Sequence, residues 1–301
     1  MHRERINGPQ AVRHCRRLTL TVLVRRPPVF QSDRPLVFAH RGGARLAPEN
    51  TVAAIDNGMA LGSDGFEIDV QLSSDGIPVV IHDHTLERTT DRSGPVRNLS
   101  AAELARVDAG FHFELDGKHP FRGQGIGIPR LDDVLARYPR ARAIIEMKGG
   151  QPELARAVGE SITRANAIER TCVGSFYQGS IDAIRAGFPD VTTSASQEEA
   201  RWTLHRSWVR WPWTRARKWV AFQVPEKAGR MRVVSRAFLN HVHREGHVVQ
   251  VWVVNERADI ERLLDWGVDG IISDRPDIAV ATRDEWLVHR GFGEGGVRTR
   301  R

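Results

Sequence analysis

The chain has 301 residues, is 41% hydrophobic and carries a formal net charge of +7, which fits one large folded core. No apolar run approaches the ~20 residues of a spanning helix, and the longest, "LTLTVLV" at 18–24, lacks a small-residue cleavage site, so a cytoplasmic protein is expected. Only four of the 44 basic residues are lysines and the arginines run along the whole chain without a groove-reading motif, so no nucleic-acid partner is expected; Cys15 and Cys172 lie too far apart to suggest a disulfide framework.

Residues 1–34 form a basic extension ending in "RRPPVFQSDRP", whose paired prolines predict a flexible linker. Beyond it, short runs rich in β-branched residues alternate with segments of helical spacing, the pattern of parallel strands joined by crossover helices. Eight strands are predicted: "LVFAH" near 37–41, "GFEIDV" (65–70), "AIIEMK" (143–148), "TCVGSF" (171–176), "VTTSA" (191–195), "VAFQV" (220–224), "VVQVWVV" (248–254) and "GIISD" (270–274). Among the intervening helices, "NTVAAIDNGMALG" opens on Asn50 as its N-cap and closes at Gly62, while "PELARAVGESITRAN" and "RADIERLLDWG" space their apolar residues three and four apart. The tail 284–301, with "GFGEGGVRTRR", is expected to fray. Residues 35–283 then form one domain of about 250 residues, the usual size of a (β/α)8 barrel. The fold class expected is α/β, a (β/α)8 TIM barrel with an extra β-hairpin strand at its top.

That extra strand is "IPVVIHD" (77–83), because "SSDG" is too short for a crossover and Asp75-Gly76 favours a type I′ turn. A hairpin symmetric about this dipeptide sets Asp69 opposite His82 and Glu67 opposite His84. Strand alternation puts Glu67 and Asp69 on one face, and likewise Glu146 and Lys148. For any single acid an ion pair with an arginine is the competing reading. Three carboxylates at strand ends, flanked by His40, Arg41, His82 and Lys148, instead point to the barrel mouth, where this fold carries its active sites. Such acids repel unless a cation separates them, and oxygen ligands suit Mg2+ or Ca2+.

The run "AHRGGARLAPENTVAAIDNGMALGSDGFEIDVQLSSDGIPVVIHDHTLERTTDRSG" closely resembles the glycerophosphodiester phosphodiesterase family. "IPRLDDVL" (128–135), "IEMK" (145–148), "SF" (175–176), "VWVVN" (251–255) and "GVDGIISDRP" (267–276) extend the resemblance over about residues 36–280. It implies a barrel and metal site shared with the phosphoinositide-type phospholipases C, and metal-dependent hydrolysis of glycerophosphodiesters to glycerol 3-phosphate and an alcohol. It further implies His40 and His82 as the general acid and base, Glu67, Asp69 and Glu146 as ligands of one divalent cation, and Arg41 and Lys148 as phosphate contacts. Glu49 either supports the metal site from behind or helps start the following helix. His84 is read as structural. Trp252 lines the pocket or fills the core, and the family pattern favours the pocket.

The departure from that pattern is "EEARWTLHRSWVRWPWTRARKWVAF" (198–222), which holds five of the eight tryptophans. Trp202 and Trp219 are expected to pack a barrel helix. Trp208, Trp211 and Trp213, interleaved with arginines around Pro212, suit a lid over an apolar substrate or a peripheral membrane contact. Two further readings follow: lysophospholipase D-type cleavage of a lysophospholipid, and a catalytically idle membrane-binding module.

Overall fold

The Val- and Ile-rich runs line up side by side in a ring. In the computed structural model, whose described residues are 26–209 and 219–291, the strands in chain order are β1 (Leu36–His40), β2 (Gly65–Leu72), β3 (Pro78–Val80), β4 (Arg142–Met147), β5 (Thr171–Gly174), β6 (Thr192–Thr193), β7 (Ala221–Pro225), β8 (Lys227–Ala228), β9 (Met231–Arg232), β10 (Val248–Trp252) and β11 (Gly270–Ser273). Strands β1, β2, β4, β5, β6, β7, β10 and β11 are the eight expected staves, and β11 returns to pair with β1. The pairing is uneven. β2 and β4 share six registered pairs and β7 and β10 five, but β5 and β6 share two, and β6 meets β7 through one bridge, Ser194 to Ala221.

Helices α1 (Val52–Ala60), α2 (Ala101–Leu104), α3 (Leu131–Arg137), α4 (Pro152–Arg164), α5 (Gln178–Gly187), α6 (Gln197–Val209), α7 (Arg236–Arg244), α8 (Arg257–Trp266) and α9 (Pro276–His289) complete the described helices. Strands covered on both faces read as continuous apolar runs rather than alternating ones. Phe66, Ile68 and Val70 of β2 accordingly pack with Leu131, Leu135, Leu154 and Val158 of α3 and α4. Phe38, Ile144, Cys172, Ala221, Val248 and Ile272 form a separate cluster inside the ring. The result is a (β/α)8 barrel whose interior is filled below and open above.

Four expectations change. Val29 and Phe30, placed in a flexible extension by the sequence, are 1% and 2% exposed and join the interior cluster, with Phe30 edge-on to Phe38 at 6.3 Å. Pro28 starts a single 3-10 turn that aims them there; residues 1–25 of that extension lie outside the described residues. The segment expected to fray from Asp284 is helical at its start, since α9 continues to His289 and buries Leu287, and residues 292–301 lie outside the described residues. The N-cap of α1 is Thr51, whose Oγ1 accepts from Ala54 N at 3.2 Å. Asn50 sits at φ +60, and its side chain bonds Asp69 instead.

The hairpin differs by one residue. Val70 faces Val80 and Leu72 faces Pro78. Ser73 N donates to Ile77 O at 3.0 Å, Gly76 N donates to Ser73 O at 3.1 Å, and Gly76 has φ +75. That is a three-residue loop ending in a left-handed glycine, not a two-residue type I′ turn. The Ser73 hydroxyl holds it, accepting from Ile77 N at 3.0 Å and contacting Asp75 Oδ1 at 2.5 Å. The slip pairs Asp69 with Ile81, whose amide donates to Asp69 O at 2.9 Å. His82 and His84 then follow β3 in a loop, and neither lies across the strand pair from an acid.

Candidate active site

After His40 the chain turns through Arg41, Gly42 and Gly43, with φ of 51°, 84° and 110°. A Cβ on Gly42 would lie 2.7 Å from Ile55 N of α1, so only glycine permits this approach. The turn lets Arg41 N donate to Glu67 Oε2 at 3.2 Å, while Arg41 Nη1 donates to Glu49 Oε1 at 2.7 Å and Nε lies 3.2 Å from Asp69 Oδ2. Glu49 therefore acts on a guanidinium and is not a free ligand.

Each candidate histidine has a carboxylate on Nδ1. His40 Nδ1 is 2.6 Å from Asp274 Oδ1, and Asn255 Nδ2 fixes the other oxygen of Asp274 at 3.0 Å. His82 Nδ1 is 2.6 Å from Asp83 Oδ1. This pairing leaves Nε2 of each ring for chemistry. Burial opposes charge on His40, but the hydrogen bond to Asp274 and the charges of Glu67 and Asp274 outweigh it and raise its pKa above the usual histidine value. Burial also opposes charge on His82, and with Lys148 and Arg41 it outweighs the pull of Asp69 and Asp83 and lowers the pKa. His84 Nδ1 instead bonds Gln71 Oε1 at 2.7 Å, and Gln71 Nε2 donates to His82 O at 2.8 Å, a structural role.

Glu67, Asp69 and Glu146 each present a carboxylate oxygen within 4.8 Å of the others. Lys148 Nζ lies 3.0 Å from Asp69 Oδ1 and 2.7 Å from Glu146 Oε1. Asp69 is also held by Asn50, which donates from Nδ2 to Oδ2 at 2.9 Å and accepts from Asp69 N at 3.1 Å. Although burial opposes its charge, Lys148 and Arg41 hold the Asp69 carboxyl below its usual range. On Glu67 burial, then the neighbouring Asp69 charge, outweigh the pull of His40 and Lys148 and push it up to about 8. Lys148 and Arg41, the latter shared with Glu49, do not neutralise three acids, and the remaining charge conflict raises Glu146 as well as Glu67. An all-carboxylate donor set with a charge deficit fits a hard divalent cation.

A cavity of about 470 Å³ opens here. His40, Arg41, Glu67, His82, Glu146 and Lys148 line one part; Ala200, Leu204, Val224, Met231, Val233 and Val253 line another. The charged set comes from β1, β2, β4 and the loop after β3, the apolar set from α6, β7 and the segments after β7 and β10. Trp252 lines the cavity, edge-to-face with Phe176 at 6.2 Å, and that phenyl ring lies 5.9 Å from Lys148 Nζ. Trp219 packs in the core, but Trp202 is 38% exposed, contrary to expectation, with Arg206 over its ring at 4.3 Å. Trp208 is 56% exposed; Trp211 and Trp213 lie outside the described residues.

The sequence profile of the glycerophosphoryl diester phosphodiesterase family matches residues 40–278. The chain belongs to this family. A glycerophosphodiester phosphodiesterase of Caldanaerobacter subterraneus is 31% identical over 260 residues, spanning 82% of this chain and 97% of the relative. The solved glycerophosphoryl diester phosphodiesterase domain of a Mycobacterium tuberculosis protein superposes with TM-score 0.72 at 27% identity, over 83% of this chain and 98% of that one. A phosphodiesterase of Oleispira antarctica, solved with the product sn-glycerol-3-phosphate, superposes with TM-score 0.66 at 25% identity, over 84% of this chain and 99% of that one. Membership in this phosphodiesterase family makes the protein a phosphoric diester hydrolase acting on glycerophosphodiesters. Asp83, Arg88, Asp274, Asn50 and Asn255 belong to the site although sequence reasoning gave none of them a part in it. Asp83 and Asp274 stood inside the quoted runs "IHDH" and "IISDRP", and a carboxylate beside each histidine was the available signal.

Proposed function

We propose that the protein hydrolyses glycerophosphodiesters to glycerol 3-phosphate and an alcohol, with His40 and His82 as the acid–base pair. The observation that carries this reading is the pairing of each ring, through Nδ1, with its own aspartate at 2.6 Å, on the rim of one cavity. Arg41 and Lys148 face the phosphate as cations. One Nε2 accepts the proton of the attacking hydroxyl and the other returns a proton to the departing alkoxide. Asp274 and Asp83 hold the rings in the tautomer this needs. Glu67, Asp69 and Glu146 would hold Mg2+ or Ca2+, which supplies positive charge against the phosphate oxygens. The complete set of groups leaves little support for an idle binding module.

A second reading shares this site. The part of the cavity formed by Leu204, Met231, Val233 and Val253 suits an acyl chain, so a lysophospholipid cleaved at the same phosphodiester bond is the alternative substrate. The test incubates purified protein with glycerophosphocholine and, separately, lysophosphatidylcholine, with Mg2+, Ca2+ or excess chelator, and identifies products by mass spectrometry. Metal-dependent glycerol 3-phosphate, lost in Glu67→Gln, supports the first reading. Lysophosphatidic acid alone, reduced by Met231→Asp, moves the assignment to the lipid. No turnover of either sinks both.

A further inference from the structure

Arg88 joins two sets of contacts that otherwise run separately into the site. Its Nη1 and Nη2 donate to Glu49 at 2.7 and 2.8 Å, and its Nε and Nη2 donate to Asp83 at 2.5 and 3.1 Å. Each carboxylate has an inner partner: Arg41 donates to Glu49 at 2.7 Å, and His82 Nδ1 lies 2.6 Å from Asp83. We propose that Arg88 is a positioning residue that fixes Arg41 and His82 relative to each other through Glu49 and Asp83.

Arg41 follows β1 and His82 follows β3, two loops that no strand pairing joins at these positions. Without Arg88 each would be oriented by a carboxylate free to rotate. A guanidinium forked onto both carboxylates fixes their planes and leaves each one direction in which to receive its inner partner. The Arg88 side chain is 47% exposed, and an exposed ion pair adds little to stability. Its weight lies in geometry and charge. His82 faces Asp83, Asp69, Lys148 and Arg41; withdrawing the positive charge behind Asp83 strengthens that carboxylate's hold on a protonated ring.

The inference rests on the two-histidine reading, and its test has one arm independent of turnover. In full-length protein, the 15N-monitored titration of His82 is expected to move to higher pH in Arg88→Gln and to return in Arg88→Lys, which restores charge without the fork. On glycerophosphocholine, both variants are expected to lose about 10- to 100-fold in kcat/KM. Arg88→Gln that titrates and turns over like the parent, with Tm alone reduced, would make Arg88 a surface ion pair and overturn the proposal. A parent without turnover defeats the phosphodiesterase reading, and the titration still decides the role of Arg88. Should Arg88→Gln fail to fold, Arg88→Lys decides: unchanged kcat/KM overturns the proposal, a loss upholds it.

Discussion

Asp274 illustrates how much of the site depends on groups that touch no substrate. It receives His40 on one oxygen and Asn255 on the other. Asp274→Asn keeps the shape but permits the amide to donate to Nδ1, which favours the wrong tautomer. Turnover is expected to fall about 10- to 100-fold with the circular dichroism spectrum unchanged, and retained turnover would remove Asp274 from the mechanism. Asp83 makes a separate, pH-dependent contribution. The hydrogen bonds from Arg88, and secondarily its contact with His82, hold its carboxyl at about 2 despite some burial, against about 3.9 in an unfolded chain. A depressed pKa contributes stability that is present above the unfolded value and lost as pH falls through the folded one. Urea midpoints between about pH 4 and pH 2 should therefore fall more steeply for the parent than for Asp83→Asn; parallel curves would contradict this. The residues legible in the sequence were those to which the proposed reaction gives a direct part. Asn50 and Arg88 were missed because their roles follow from backbone and loop geometry, not from spacing.

At the scale of elements, the strands were legible because burial on both faces writes them as apolar runs, and all eight staves formed where such runs were read. The hairpin register was not, because it was settled by one hydroxyl, that of Ser73, against the preference of Asp75-Gly76. Helix starts fared similarly, with Thr51 taking the cap from Asn50. The turn after β1 gives a sharper prediction. Gly42 combines φ +84 with a backbone approach that a methyl group would violate. Gly42→Ala is expected to lower Tm by several degrees and to cost more activity than the stability loss explains, since His40 and Arg41 flank the shift. Thermal melts alongside kcat/KM at a temperature where the variant remains folded test this; a variant with parental kinetics would show that the turn tolerates strain.

For the whole molecule, the barrel concentrates negative charge on its upper rim and closes its lower end with Val29 and Phe30. A cation bound by the folded chain and not by the unfolded one stabilises by mass action. Tm is therefore expected to rise with Mg2+ or Ca2+, the rise to disappear in Glu67→Gln, and excess chelator to abolish turnover. A Tm indifferent to both ions would count against the carboxylate triad as a metal site. Among the described residues no helix is long and apolar enough to cross a membrane.

The uneven pairing around the ring divides the molecule mechanically. The three acids stand on β2 and β4, which share six registered pairs, whereas part of the apolar wall flanks the seam that Ser194 and Ala221 fasten with one bridge. The cavity resembles a vice with one fixed jaw carrying the chemistry and one yielding jaw carrying the fit. Movement at β6 would leave the spacing of the carboxylates on β2 and β4 unchanged. Amide exchange should reveal the difference as faster exchange at Ser194, Ala195 and Val220 than at Ile68 or Ile145.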